Sequence, residues 1–147
     1  MRIVVQSAQF DLGAESAGFA AGRQDMGAIV TFTGVVRDDP EKPLHAMEIE
    51  HYPGMTEAAL EDIAEQAKSR FNLGDVLVIH RHGALKPGEL IMMVATAAPH
   101  RKDAFDGASF LMDYLKSRAP FWKREITSEG AAWVAAKDSD EEALTRW

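Results

Sequence analysis

LIMMVATAA, residues 90–98, is the longest apolar run in the chain and the stretch that decides its fold class. Apolar residues fall on both faces of this run, which is typical of a strand in the middle of a sheet. VLVIH at 76–80 predicts a second strand, joined to the first across the turn residues of 83–88. Apolar residues at helical spacing predict two long helices, over 56–71 and about 103–118.

Further elements are predicted on both sides of this centre. Strands are expected at 3–5, 28–36, 46–52 and 121–127, and a small helix around Phe19. Thr56 is the expected N-cap of the first long helix, and Ser139 with Glu142 has the capping-box spacing of a short terminal helix. Pro120 ends the second long helix. Because strands and helices mix without strict alternation, we expect one α+β domain over 1–147, with a mixed or antiparallel sheet and helices packed on one face.

The composition excludes several classes of protein. The chain has 147 residues, 46% of them hydrophobic, no cysteine and a net charge of -7. It therefore has no disulfide framework, thiolate metal site or cysteine nucleophile. The net negative charge argues against non-specific nucleic-acid binding, which depends on phosphate neutralisation. No apolar run is long enough to span a bilayer, and the first residues lack a signal-peptide pattern, so we expect a cytoplasmic protein.

Clustered cations are the informative charges in an acidic chain. They are KSRAPFWKR at 116–124 and His100-Arg101-Lys102. Neighbouring cations and partial burial beside Phe121 and Trp122 lower the pKa of a lysine, which can then act as a base or nucleophile. The alternative is a solvated helix end, where cations are favoured without any function. Arg37 either lies at a sheet edge facing a ligand or pairs with a neighbouring aspartate, Asp38 or Asp39.

Three histidines are weaker candidates for chemistry. His51, His80 and His82 do not have metal-ligand spacing on one helix, so we expect no metal site. His80 and His82 are expected to share one strand face, which is typical of a hydrogen-bonded structural role. The three tryptophans are expected to be packing or interface anchors rather than stacking platforms.

Five motifs resemble those of the MoaE family, the large, catalytic subunits of molybdopterin synthase. They are TFTGVVRDD (31–39), EHYPGMTE (50–57), VIHRHGALKPGE (78–89), His100-Arg101 and MDYLKSRAPFWKRE (112–125). The motifs stand in the family's order, and the likeness extends from about Ala28 to Trp147. The resemblance implies an α/β hammerhead-like fold, in agreement with the α+β class expected above.

The resemblance also implies a reaction and its partners. Members of the family convert a cyclic pyranopterin monophosphate, precursor Z, into dithiolene-bearing molybdopterin. Sulfur arrives as a thiocarboxylate on the C-terminal Gly-Gly of a small ubiquitin-like subunit, and no cofactor is needed. The expected assembly is a homodimer of the large subunit within a heterotetramer. The lack of cysteine is consistent with this chemistry, since the sulfur need not be held by this chain.

The same resemblance assigns the site residues. Lys116 and Lys123 match the catalytic lysines, with Lys116 closer to the thiocarboxylate carbonyl and Lys123 exchanging protons and stabilising negative charge. The residues expected to bind the phosphate and the pterin are Arg37, His100 and Arg101. The family often has an arginine near the C-terminus that reaches the neighbouring subunit. Lys137 is the nearest counterpart here.

Two other functions compete with sulfur transfer. The first is a non-catalytic module that binds the C-terminal tail of a small partner protein. The second is a nucleotide- or RNA-binding protein that uses the basic cluster with Trp122, although the net charge argues against it.

Overall fold

The computed structural model describes residues 1–135 and 137–147, and within them the strands form two sheets of four. The strands are β1 Arg2–Gln6, β2 Ala28–Val35, β3 Leu44–His51, β4 Asp75–Arg81, β5 Gly83–Leu85, β6 Leu90–Ala98, β7 Phe121–Thr127 and β8 Gly130–Trp133. The helices are α1 Leu12–Ala20, α2 Met55–Phe71, α3 Arg101–Ser117 and α4 Asp138–Ala143, with a 3₁₀ turn over Leu144–Arg146. The predicted α+β class is confirmed.

The first sheet has the order β1-β4-β6-β2 and is mixed, because β1 runs parallel to β4 while the other pairs are antiparallel. The apolar strand β6 lies in its interior, as predicted. Helices α2 and α3 contribute Leu60 and Phe110 to the core on one face of this sheet. Phe19 of α1 packs on the opposite face with Ile79 and Met93. Helices therefore cover both faces of this sheet rather than the one face expected, which explains why β6 is apolar on both.

The second sheet, β5-β3-β7-β8, is antiparallel and was not expected as a separate sheet. Strand β7 has the predicted range and β3 begins two residues before its predicted start, but β5 and β8 were missed. These two edge strands have only three and four residues, and β8 is exposed along its whole length. Such short segments carry no alternation of buried and exposed residues, so the sequence offers no signal for them.

Two predicted helix caps are wrong. The N-cap of α2 is Gly54, two residues before the expected Thr56, and its N–H donates to the Glu57 carboxylate (2.6 Å). Thr56 lies inside the first turn and is fully buried. Its hydroxyl accepts from the N–H of Tyr52 (2.9 Å) and donates to the carbonyl of Pro120 (3.0 Å). Ser139 likewise lies within α4 and does not cap it, although the short helix itself is present.

One of the three tryptophans packs against core aromatic residues, and the other two lie at the surface. Trp147 packs edge-on against Phe71 and Phe110, and its indole N–H donates to Asp113 (2.6 Å). Trp122 and Trp133, on β7 and β8, are about half exposed. In the part of the chain that the structure describes, no helix is long and apolar enough to cross a membrane.

Gly27, immediately before β2, lies against the end of β6. A Cβ at this position would stand 2.4 Å from the carbonyl oxygen of Pro99, and backbone cannot move away as easily as a side chain. Gly18, on α1, has open space where its Cβ would be. The two glycines therefore provide a matched pair for testing this close approach.

Gly27→Ala is expected to lower the free energy of unfolding by about 1–3 kcal/mol, because the β2–β6 pairing must shift to admit the methyl group. Gly18→Ala is expected to raise it by about 0.5–1 kcal/mol, since alanine is the better helix former. Urea unfolding at equilibrium measures both. Equal stability of the two variants would contradict the close contact at Gly27.

Candidate active site

A cleft of about 550 Å³ opens where α3 and β7 meet one end of the first sheet. Its walls are largely apolar and carry a few cationic side chains. The lining residues are Phe32, Thr33, Gly34, Val35, Arg37, His80, Ile91, Met92, Met112, Leu115, Lys116 and Lys123. Three of the residues implied by the resemblance, Arg37, Lys116 and Lys123, thus meet in one cleft.

The turn between α3 and β7 brings the two lysines together. Lys116 lies in the last turn of α3, and the chain reverses through Arg118–Pro120 before β7 begins. Pro120 prevents the helix from continuing, and its carbonyl is held by the buried hydroxyl of Thr56. Lys123 then lies on the same strand face as Phe121. Two lysines that are seven residues apart in sequence thereby line the same cleft.

The cations of this segment separate into paired and unpaired groups. Arg118 forms a two-pronged ion pair with Glu141 (2.7 and 3.1 Å). Arg124 pairs with Glu48 and lies 5.3 Å from the ring centre of Trp133. Within residues 1–135 and 137–147, neither cleft lysine forms an ion pair. The lysines are therefore the side chains available to an incoming anion.

Burial lowers the pKa of Lys123 below its ordinary value, and the positive charges of Lys116 and Lys137 lower it further. Asp140 opposes part of this shift, but the net direction is downward. A lysine in this position gives up its proton more readily than one in water, as acid–base or nucleophilic chemistry requires. This agrees with the expectation that clustered cations and partial burial would lower the pKa of one lysine in this segment.

Arg37 follows β2 and borders two cavities. Besides the large cleft, it lines a cavity of about 350 Å³ that is shared with the carboxylates of Asp38, Asp39 and Glu125. The alternative that Arg37 pairs with a neighbouring aspartate is not seen among the described residues. The Asp38 carboxylate instead accepts the N–H groups of Asp39 and Leu44, each at 2.8 Å. The carboxylates make the smaller cavity a poor site for anions.

His100 and Arg101 do not line the cleft of their own chain. They are exposed at the start of α3, whereas Lys116 lies in its last turn. A rise of about 1.5 Å per residue separates the Cα atoms of Arg101 and Lys116 by roughly 22 Å along the axis. One chain therefore does not bring these two groups of predicted residues together.

Lys137 precedes α4 and is exposed, yet its charge acts on Lys123. The fold thus places it beside the cleft of its own chain, on the side where α4 packs against α3. Sequence alone offered only its position near the C-terminus as a reason to consider it.

His80 is the cleft residue that sequence reasoning assigned to structure alone. It stacks on Phe121, with ring centres 3.8 Å apart. His51 and His82 stack on each other at 4.1 Å, and neither lines the cleft. Within the described residues, no three histidine or acidic side chains are grouped so that they could hold a metal ion. A histidine directly after the apolar run 76–79 of strand β4 was the available signal for His80.

Comparison with known proteins assigns a family to this architecture. The family model described as MoaE protein matches residues 5–118. The chain is 65% identical over 147 residues to the molybdopterin synthase catalytic subunit of Cereibacter sphaeroides, covering 100% of both chains.

Solved structures agree with this match. The MoaE protein from Burkholderia ambifaria superimposes with a TM-score of 0.85 at 51% identity, covering 99% of this chain and 97% of that one. The molybdopterin synthase from Staphylococcus aureus superimposes with a TM-score of 0.83 at 26% identity, covering 90% of this chain and 96% of that one.

Lys123→Met is expected to stabilise the protein at pH 7, because methionine fills the same volume without a charge to desolvate. We expect the melting temperature to rise by about 3 °C, on the order of 1 kcal/mol. The pKa of Lys123 is lower in the folded than in the unfolded chain, so the unfolded chain binds more protons between the two values. The stability of the native protein then rises with pH across that window, and the advantage of the variant shrinks by pH 10.

Thermal unfolding at pH 7 and pH 10 measures this difference. Lys102→Met is the matched control, because Lys102 is exposed on α3 and pairs with Asp106 at the surface. It is expected to change stability little at either pH. A Lys123→Met variant less stable than the native protein at pH 7 would contradict the buried, destabilising ammonium.

Proposed function

The chain belongs to the MoaE protein family, and on this premise we propose that it is the catalytic subunit of a molybdopterin synthase, an enzyme of molybdenum cofactor biosynthesis. A relative with that name matches it along the full length of both chains. The observation that carries the proposal is the pair of lysines, Lys116 and Lys123, which share one apolar-walled cleft without ion pairs among the described residues.

The proposed substrate is a cyclic pyranopterin monophosphate, which the enzyme converts to the dithiolene-bearing molybdopterin. The proposed sulfur donor is a thiocarboxylate at the C-terminal Gly-Gly of a small ubiquitin-like subunit. Both the phosphate and the thiocarboxylate are anions, and the cleft presents fixed cations to them. Its apolar walls, including Phe32, Met92 and Leu115, suit a flat heterocycle.

Each cation of the cleft has a distinct proposed role. Lys116, the more exposed lysine, lies closer to the thiocarboxylate carbonyl and stabilises negative charge that develops on it. Lys123, with its lowered pKa, accepts and returns protons during sulfur transfer. Arg37 binds the phosphate, because a guanidinium stays charged and holds two oxygens at once. Lys137 adds a third ammonium from the same chain.

His100 and Arg101 require a second copy of the chain to reach a cleft. They lie about 22 Å along α3 from the lysine of their own protomer. In a twofold dimer whose interface includes the start of α3, each protomer can present these residues to the cleft of its partner. We therefore assign them to phosphate and pterin binding across a homodimer, within a heterotetramer that includes two small subunits.

The competing function is a module that captures the C-terminal tail of a small partner without catalysis. The same cleft and cations would serve it. The two functions differ in what Lys116 contributes, because tail capture uses its charge whereas sulfur transfer also uses it during the reaction.

Lys116→Ala is expected to reduce kcat for molybdopterin formation by about 10²–10⁴-fold, because a charge that stabilises the reacting group is lost. The affinity for the small subunit is expected to change by less than about threefold, since one cation is a small part of a protein interface. The reaction mixture contains the chain, thiocarboxylated small subunit and pterin phosphate. Product is measured as dithiolene, and affinity by calorimetry.

Lys68→Ala, on α2 and away from the cleft, is the matched control and should keep full turnover. Loss of small-subunit binding by Lys116→Ala without any turnover by the native chain would favour the tail-binding module. Full turnover by Lys116→Ala would contradict its catalytic role.

Mixing two inactive variants tests the dimer. Lys116→Ala and Arg101→Ala are each expected to be impaired as homodimers. A mixed dimer holds one cleft with both residues intact, so random mixing is expected to restore about a quarter of native activity. Turnover is measured before and after subunit exchange, with Lys116→Ala mixed with itself as the control. Failure of verified mixed dimers to regain activity would contradict the shared site.

A further inference from the structure

His80 is a buried polar residue at the bottom of the cleft. It lies near the end of β4, on the face that also presents Val76 and Val78 to the core, and only 5% of its surface is exposed. Its ring is nearly parallel to that of Phe121, with an angle of 16° between them. The imidazole is thus held in one orientation by the packing around it.

The neighbouring backbone determines which nitrogen of His80 carries the proton. Nδ1 is 2.8 Å from the carbonyl oxygen of Arg81. A carbonyl oxygen only accepts hydrogen bonds, so Nδ1 must be the donor and Nε2 carries a lone pair. Burial, with a smaller contribution from the charge of Lys123, lowers the pKa of His80 to about 3. The ring therefore remains neutral at physiological pH, and Nε2 remains an acceptor.

Nε2 faces the cleft. Among the described residues, no buried side-chain nitrogen or oxygen lacks a hydrogen-bond partner, and the hydrogen bond found for His80 is made by Nδ1. An Nε2 that was both enclosed and unpaired would violate this, so Nε2 lies at the part of the ring that lines the cleft. A nine-tenths buried acceptor is thus presented to whatever occupies that space.

The cationic groups of the cleft are hydrogen-bond donors when they are charged. In their protonated forms Arg37, Lys116 and Lys123 carry N–H groups and no lone pairs, and the hydroxyl of Thr33 can act either way. A purely anionic ligand would need no fixed acceptor. A ligand with an anionic part and N–H groups on a heterocycle would use both sets.

We propose that His80 is a substrate-binding residue, whose Nε2 accepts a hydrogen bond from a ring or exocyclic N–H of the pterin and so sets its orientation. This inference rests on the proposed function and extends it to the heterocyclic part of the substrate. The cations then hold the phosphate and the sulfur donor, while His80 selects a heterocycle with a donor at the matching edge. A site that buries an acceptor also rejects analogues that lack the donor.

Two variants test the contributions of the two ring nitrogens of His80 separately. His80→Asn keeps an N–H near the Arg81 carbonyl and removes the acceptor at the position of Nε2. His80→Gln places an amide oxygen near that position. In the reconstituted synthase we expect the KM for the pterin phosphate to rise about tenfold in His80→Asn, the effect of one lost hydrogen bond to a buried group. In His80→Gln we expect it to stay within about threefold of the native value.

The small-subunit affinity and the melting temperature should be similar in both variants. His51→Asn is the matched control, because His51 is a stacked histidine outside the cleft, and its KM should not change. An unchanged KM in His80→Asn would overturn the inference, and so would an equal rise in both variants, which would make the histidine structural. If the native chain forms no product, the proposed function fails with it. If the native chain forms product and the KM of His80→Asn is unchanged, only this inference fails and the proposed function stands.

Discussion

The site depends on holding two ammonium groups close together in a cleft whose walls are mostly apolar. Such an arrangement is unfavourable by itself, because burial and mutual repulsion both oppose the charged forms. It persists because the supporting structure is rigid. Strands β2 and β6 provide one wall, α3 provides Lys116, and the turn at Pro120 directs β7 so that Lys123 enters the same space.

The positions of the carboxylates determine which cations of this segment are paired and which are not. Arg118 and Arg124 belong to the same basic segment as the lysines but are neutralised by Glu141 and Glu48. The chain carries a net charge of -7, yet within the described residues no carboxylate lines the main cleft. An overall acidic protein thereby retains a local concentration of positive charge, which net charge alone would not reveal.

Much of the fold could be predicted, because its main elements have strong local patterns. The doubly apolar run at 90–98 indicated the interior strand, and helical spacing indicated α2 and α3. The second sheet could not be predicted, since β5 and β8 are too short to show periodicity. The role of Thr56 was missed for a similar reason: its partner, Pro120, is 64 residues away in sequence.

The sequence could predict the candidate site only where its residues flank a single turn between consecutive elements. Lys116 and Lys123 flank one turn, whereas Arg101 and Lys116 lie at opposite ends of one helix, and sequence proximity does not show which end faces a cleft. The hydroxyl of Thr56 also joins two segments that are far apart in sequence. It ties the start of α2, a helix that contributes nothing to the cleft lining, to the turn that aims Lys123. Inherited variation at Thr56 would therefore be filtered by selection on turnover, even though its side chain is fully buried and lies outside the cleft lining.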